Sequence, residues 1–160
     1  RAGYPRAPPG DDPGHPAPGA GSEAYVVPAP ADAADGLGDR LRRLRADDTR
    51  PALIDCPAGA GPDATVPLRI ADRVLLVSTT CVAGLRDTAK TAAMARAVGT
   101  PVVGSVVTRA RVAPPGVDDL LGCSVVATVP EAADAEPLAD PDVQRAYRRL
   151  ARTVAAGAKA

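Results

Sequence analysis

Four short apolar runs constrain this chain more than anything else in it. They are Ala52-Leu53-Ile54 before Asp55, Val74-Leu75-Leu76-Val77 before Ser78-Thr79-Thr80, Val102-Val103-Gly104-Ser105-Val106-Val107 before Thr108-Arg109, and Ser124-Val125-Val126-Ala127-Thr128-Val129 before Pro130-Glu131. Each is brief and nearly continuous, without polar alternation, which is how strands buried on both faces of a parallel sheet read. Ala-rich helical stretches lie between them, at about 63–71, 82–98 and 116–121, and a closing helix runs over 141–156 with Pro141 near its start. Strand and helix alternating at this spacing predict an α/β fold: an open, mostly parallel sheet with flanking helices and right-handed crossovers. In such sheets ligands sit beyond the carboxyl ends of the strands. The residues that finish the runs are therefore expected to gather along one edge.

Before residue 50 the texture differs. Residues 1–24 are rich in Pro, Gly, Ala and Asp and cannot bury enough apolar surface to offset chain entropy, so a disordered linker is expected there. The folded domain is expected over 25–156. It would begin with a short extended piece at Tyr25-Val26-Val27, and an amphipathic helix over 35–45 carries Leu37, Leu41 and Leu44 on one face. The core must be built from Ala, Val and Leu, because the chain has no Phe or Trp and one Met.

Composition also excludes functions. Charges balance at 19 against 19, so no basic footprint for nucleic acid is visible, and too few aromatic residues exist for a base-stacking platform. The three cysteines, at 56, 81 and 123, form no C-x-x-C pair. Their apolar contexts predict buried small hydrophobes in a reducing cytosol, and with no membrane-length apolar run the expected location is cytoplasmic. The single His15 lies in the Pro/Gly-rich stretch, where it is expected to be solvated, and no Ser-His-Asp triad or G-x-S-x-G elbow exists. The arginines at 145, 148, 149 and 152 lie on the closing helix, and the chain's last residues lack bulky apolar anchors. A solvated face is therefore expected rather than a membrane contact.

The segment richest in chemistry is Leu53-Ile54-Asp55-Cys56-Pro57-Ala58-Gly59-Ala60-Gly61. An acidic residue at a strand end, a proline that stiffens the turn and glycines that let backbone amides approach can hold hydrated Mg²⁺ and a terminal phosphate. An ordinary strand-to-helix turn with Asp55 or Asp63 as a cap fits the same residues.

Asp55-x-Pro57-x-Gly59 resembles the switch II motif D-x-P-x-G of the MinD/ParA family of deviant P-loop ATPases. The resemblance continues through Arg69-Ile70-Ala71-Asp72-Arg73-Val74 up to Thr79, Leu85-Arg86-Asp87-Thr88-Ala89-Lys90, Val106-Val107-Thr108-Arg109, and Leu120-Leu121-Gly122 up to Val129-Pro130-Glu131. It spans about residues 50–155, in the family's order, with an archaeal MinD flavour. It implies a P-loop NTPase fold, ATP and Mg²⁺ as cofactors, an ATP-dependent homodimer, and a role in positioning a division site, chromosome, plasmid or polar complex. It assigns Asp55 to the metal side, through water, and Gly59 to the γ-phosphate. Thr108, Arg109 and the backbone after Pro130 would face adenine. Thr108 replaces the family's Asn and removes a bidentate amide.

The family's K-G-G-x-G-K-[ST] loop is absent from these 160 residues, whose lysines stand only at 90 and 159. Gly84 to Thr91 reads G-x-x-x-x-A-K-T, with Ala89 where glycine is required and Asp87 facing the phosphates. The strand carrying the loop would be missing from the middle of the sheet, beside the strand ending at Asp55. Expected consequences are weak or no ATP binding by this stretch alone and marginal stability. Two accounts stand: the C-terminal part of a longer ATPase, or a pseudo-ATPase scaffold that lost its nucleotide loop. Amidotransferase-like and iron–sulfur-carrier relatives are a third reading, weakened by the absent glutaminase domain and C-x-x-C motif.

Overall fold

The computed structural model describes residues 15–16, 25–27, 36–47, 51–57, 59, 61–132 and 136–156. The linker expected over 1–24 lies outside the described residues except for His15–Pro16. That pair forms β1 and bonds antiparallel to β2, Tyr25–Val26. The chain divides into two compact units, Arg1–Asp55 and Cys56–Ala160. The first also contains α1, Leu37–Asp47, close to the helix expected from its leucine spacing.

The strand expected at 52–55 is not formed: residues 51–57 carry no regular structure, and Leu53 is 95% exposed. A strand exists through its ladder, and no strand among the described residues pairs with this run. Pro51 and Pro57 at its two ends also lack the N–H that a ladder uses.

The second unit holds the expected parallel sheet. After α2 (Pro62–Ile70) come β3 (Val74–Ser78), α3 (Val82–Ala97), β4 (Val102–Thr108), α4 (Val117–Leu121), β5 (Val125–Val129), a 3₁₀ turn at Pro137–Ala139 and α5 (Pro141–Ala156). The strand order is β3-β4-β5, with both pairs parallel. Thus β4 is central, and its residues Gly104 to Val107 are all buried. Gly104, at φ 148°, stands where an added Cβ would come within 2.5 Å of Val126 Cγ1, so the close approach of β4 and β5 requires glycine here. The pairing of β4 with β5 shifts register at the next step, between Ser105 and Val106.

Each face of the sheet has its own apolar cluster. On one, Leu76 and Val107 pack with Leu85 and Ala92 of α3 and Val117 and Leu121 of α4. On the other, Val106, Ala127 and Val129 pack with Val143 of α5. Ala92 and Ala95 are fully buried, so α3 lies close to its neighbours. Two polar ties lock the connections. Thr100 Oγ1 donates to Leu68 O at 2.5 Å, fixing the end of α2 against the turn into β4. Arg96 Nη2 donates to Leu121 O at 2.6 Å and Gly122 O at 3.0 Å, so α3 holds the carbonyl end of α4.

The cysteine expectation fails for two of the three. Cys56 and Cys81 are exposed and Cys123 is half-buried. Cys56 falls in the stretch that forms no strand, and Cys81 caps a helix instead of filling a core, its Sγ accepting the Gly84 N–H at 3.3 Å.

Candidate functional site

Three of the four predicted strand ends meet within the second unit. Ser78 pairs in register with Val107, and Thr108 with Val129. Thr108 Oγ1 donates to Ser78 O at 3.1 Å, and Ala110 N–H donates to Val129 O at 3.1 Å. Thr128 Oγ1 donates to Arg111 O at 3.2 Å, closing the loop that leaves β4 back onto β5. The carboxyl edge of the sheet is thus a braced rim. Arg109 sits on it in the left-handed region at φ 55°, which is uncommon for a residue with a Cβ. Its side chain is exposed, as is Glu131, while Pro130 is half-buried.

At the β3 end of this rim the chain turns into α3. The Ser78 hydroxyl donates to Thr79 O at 2.9 Å, and Thr88 Oγ1 donates to Gly84 O at 2.8 Å. Thr79 Oγ1 lies 3.2 Å from Cys81 Sγ. The Thr79 hydroxyl, and after it the Gly84 N–H, stabilise the thiolate and lower the Cys81 pKa below the ordinary thiol value. Gly84 permits this crowding, since a Cβ there would stand 2.9 Å from Thr79 Oγ1. Sequence reading missed this cluster; the available signal was a small polar residue directly before a helix, the usual capping position.

Of the other residues singled out by motif, Asp55 is exposed at the end of the first unit, and Pro57 is exposed at the start of the second. Gly59 has φ 133°, a backbone conformation that favours glycine, with open space where a Cβ would point. Among the described residues no group of three or more His, Cys, Asp or Glu side chains could hold a metal. Asp55 is therefore a single carboxylate. The described residues offer a rim of hydroxyls and backbone groups but no cradle of amides and lysines for a triphosphate. By themselves they do not complete a site for Mg-ATP. No helix among the described residues is long and apolar enough to cross a membrane.

Comparison with known proteins agrees with this architecture. No family model matches the chain. It is 27% identical over 99 residues to an uncharacterised ATP-binding protein of Methanocaldococcus jannaschii, covering 59% of this chain and 34% of that protein. The septum site-determining protein MinD of Pyrococcus horikoshii, solved with Mg-ADP, superposes with a TM-score of 0.64 at 23% identity, covering 79% of this chain and 59% of that one. The MinD cell division protein of Aquifex aeolicus superposes with a TM-score of 0.67 at 18% identity, covering 82% and 64%. The chain spans about a third of the curated relative's length and under two thirds of each of these structures. Over that span, its parallel sheet and flanking helices have the fold of the MinD proteins.

Proposed function

We propose that these residues form the switch II segment and the C-terminal remainder of a MinD-like switch that binds and hydrolyses ATP to position other cellular machinery. The observation that carries this reading is the agreement of motif order with geometry. The segments resembling the family's strand ends, Ser78-Thr79, Thr108-Arg109 and Val129-Pro130, finish adjacent parallel strands on one rim. Similarity to an ATP-binding protein and to a MinD solved with Mg-ADP supports it. In the intact protein Asp55 would hold Mg²⁺ through water, and the Gly59 amide would meet the terminal phosphate. Thr108, Arg109 and the backbone at Pro130 would line the adenine end. The reading requires a phosphate loop from beyond these 160 residues, and it implies an ATP-dependent homodimer and a cytoplasmic protein.

A second reading, a pseudo-ATPase scaffold, is favoured by two particulars. Residues 51–57 form no strand to aim Asp55, and the Thr108 hydroxyl is already engaged by Ser78 O. Titration of Mg-ATP into the complete product of the gene separates the two. Binding and turnover, with turnover lost in D55A, support the switch. A complete product that binds no nucleotide supports the scaffold, and turnover unchanged in D55A removes the role given to that carboxylate.

A further inference from the structure

The outward side of α5 carries the most concentrated unanswered charge among the described residues. Its inward side packs Val143, 2% exposed, together with Ala146 and Leu150 against β4 and β5. Opposite, Arg145, Arg148, Arg149 and Arg152 are all exposed. At spacings of three, four and seven residues they lie along one helical stripe, about 10 Å long at 1.5 Å per residue. No acidic residue occurs from 143 to 156. Asp142 is shared, 2.8 Å from Arg145 Nη1 and 3.2 Å from Arg111 Nη1. Arg148 reaches only the neutral Gln144, at 3.2 Å, and no carboxylate among the described residues meets Arg149 or Arg152.

We propose that this stripe docks an acidic helical segment of a partner protein. The guanidinium fork pairs bidentately with carboxylates, and two turns of α5 match glutamates spaced four and seven residues apart on a facing helix. At the N-terminal end of the stripe stand Asp142 and Asp140, the latter accepting from the Asp142 and Val143 amides. A long polyanion such as a nucleic-acid duplex would run onto these carboxylates, whereas a two-turn acidic helix would not. A membrane is disfavoured because the apolar face of α5 is already covered by the sheet. Ala151 and Ala155 beside the arginines keep the surface low enough for a helix to approach. Leu138, in the turn before α5, is 62% exposed and its carbonyl accepts from Gln144, the residue that Arg148 reaches, so it offers an apolar anchor that exposed ion pairs alone lack.

The test is fluorescence anisotropy with the 160-residue chain and a labelled helical peptide bearing a glutamate stripe at that spacing and one flanking leucine. The comparison probes are a peptide of equal composition with its glutamates spread round the helix, a short DNA duplex and phosphatidylglycerol vesicles. The striped peptide is expected to bind about tenfold more tightly than the spread one, and R149E/R152E to weaken it by about tenfold or more. R149Q/R152Q should give a smaller loss, and L138A a severalfold one, with far-UV circular dichroism unchanged in every variant. Absent binding, equal binding of the two peptides, indifference to the arginine variants, or tighter binding to duplex or vesicle each overturns the proposal.

Discussion

The run 51–57 and the central strand β4 begin from similar material and end differently. Both contain an apolar stretch that stops at a polar residue, Ile54 before Asp55 and Val107 before Thr108. Val107 is fully buried between two paired neighbours, whereas Leu53 is 95% exposed in a stretch with no ladder. Composition therefore sets only the capacity for strand. Realising it takes a hydrogen-bonding neighbour on at least one side and a helix to cover a face. Where β4 has both, Gly104 and Ser105 are held inside the strand despite their weak strand propensity.

Substitutions can break or sharpen this contrast. Leu121→Ala, at a fully buried site packed on β4, should cost about 2–5 kcal/mol in urea unfolding followed by circular dichroism. Leu53→Ala should change stability by no more than about 0.5 kcal/mol, because the site is already in solvent. Equal losses at the two sites would mean that 51–57 is packed, and the contrast would fail. Gly104→Ala should cost about 1–3 kcal/mol through overpacking against Val126 and a strained positive φ. Thr100→Val should cost about 1 kcal/mol by removing the donor to Leu68 O. The smallest effect belongs to Thr79→Ala. With its first stabilising hydrogen bond gone, the Cys81 thiol should titrate at higher pH, moving the midpoint of its iodoacetamide rate profile upward in a Cys56→Ser, Cys123→Ser background. An unmoved midpoint would show that backbone N–H groups, not the Thr79 hydroxyl, set the thiol's acidity.

Much of the second unit is legible in the sequence, because its strands are continuous β-branched runs and its helices end near the residues their patterns predict. β3, β4 and β5 lie within a residue or two of expectation, and α5 matches its expected span. The gathering of Ser78, Thr108 and the end of β5 on one rim comes from the parallel order alone. The fate of 52–55 is not legible, since local pattern carries no information about whether a pairing partner is present. Nor is the pairing of His15–Pro16 with Tyr25–Val26, in which two residues on each side leave no periodicity to read. The cysteines mislead because an apolar context suits a buried thiol, while Cys81 serves as a helix cap and is exposed. Thr108 illustrates a subtler limit: the motif gives its position, but only the geometry shows its hydroxyl bracing the neighbouring strand.

The grip of Arg96 on the last carbonyls of α4 has its own consequence for motion. A helix of five residues, Val117–Leu121, is too short to persist in water by itself. Because one guanidinium from α3 closes its open end, fraying of α4 is tied to loss of that grip, so its amides should exchange with deuterium in step with the C-terminal turns of α3.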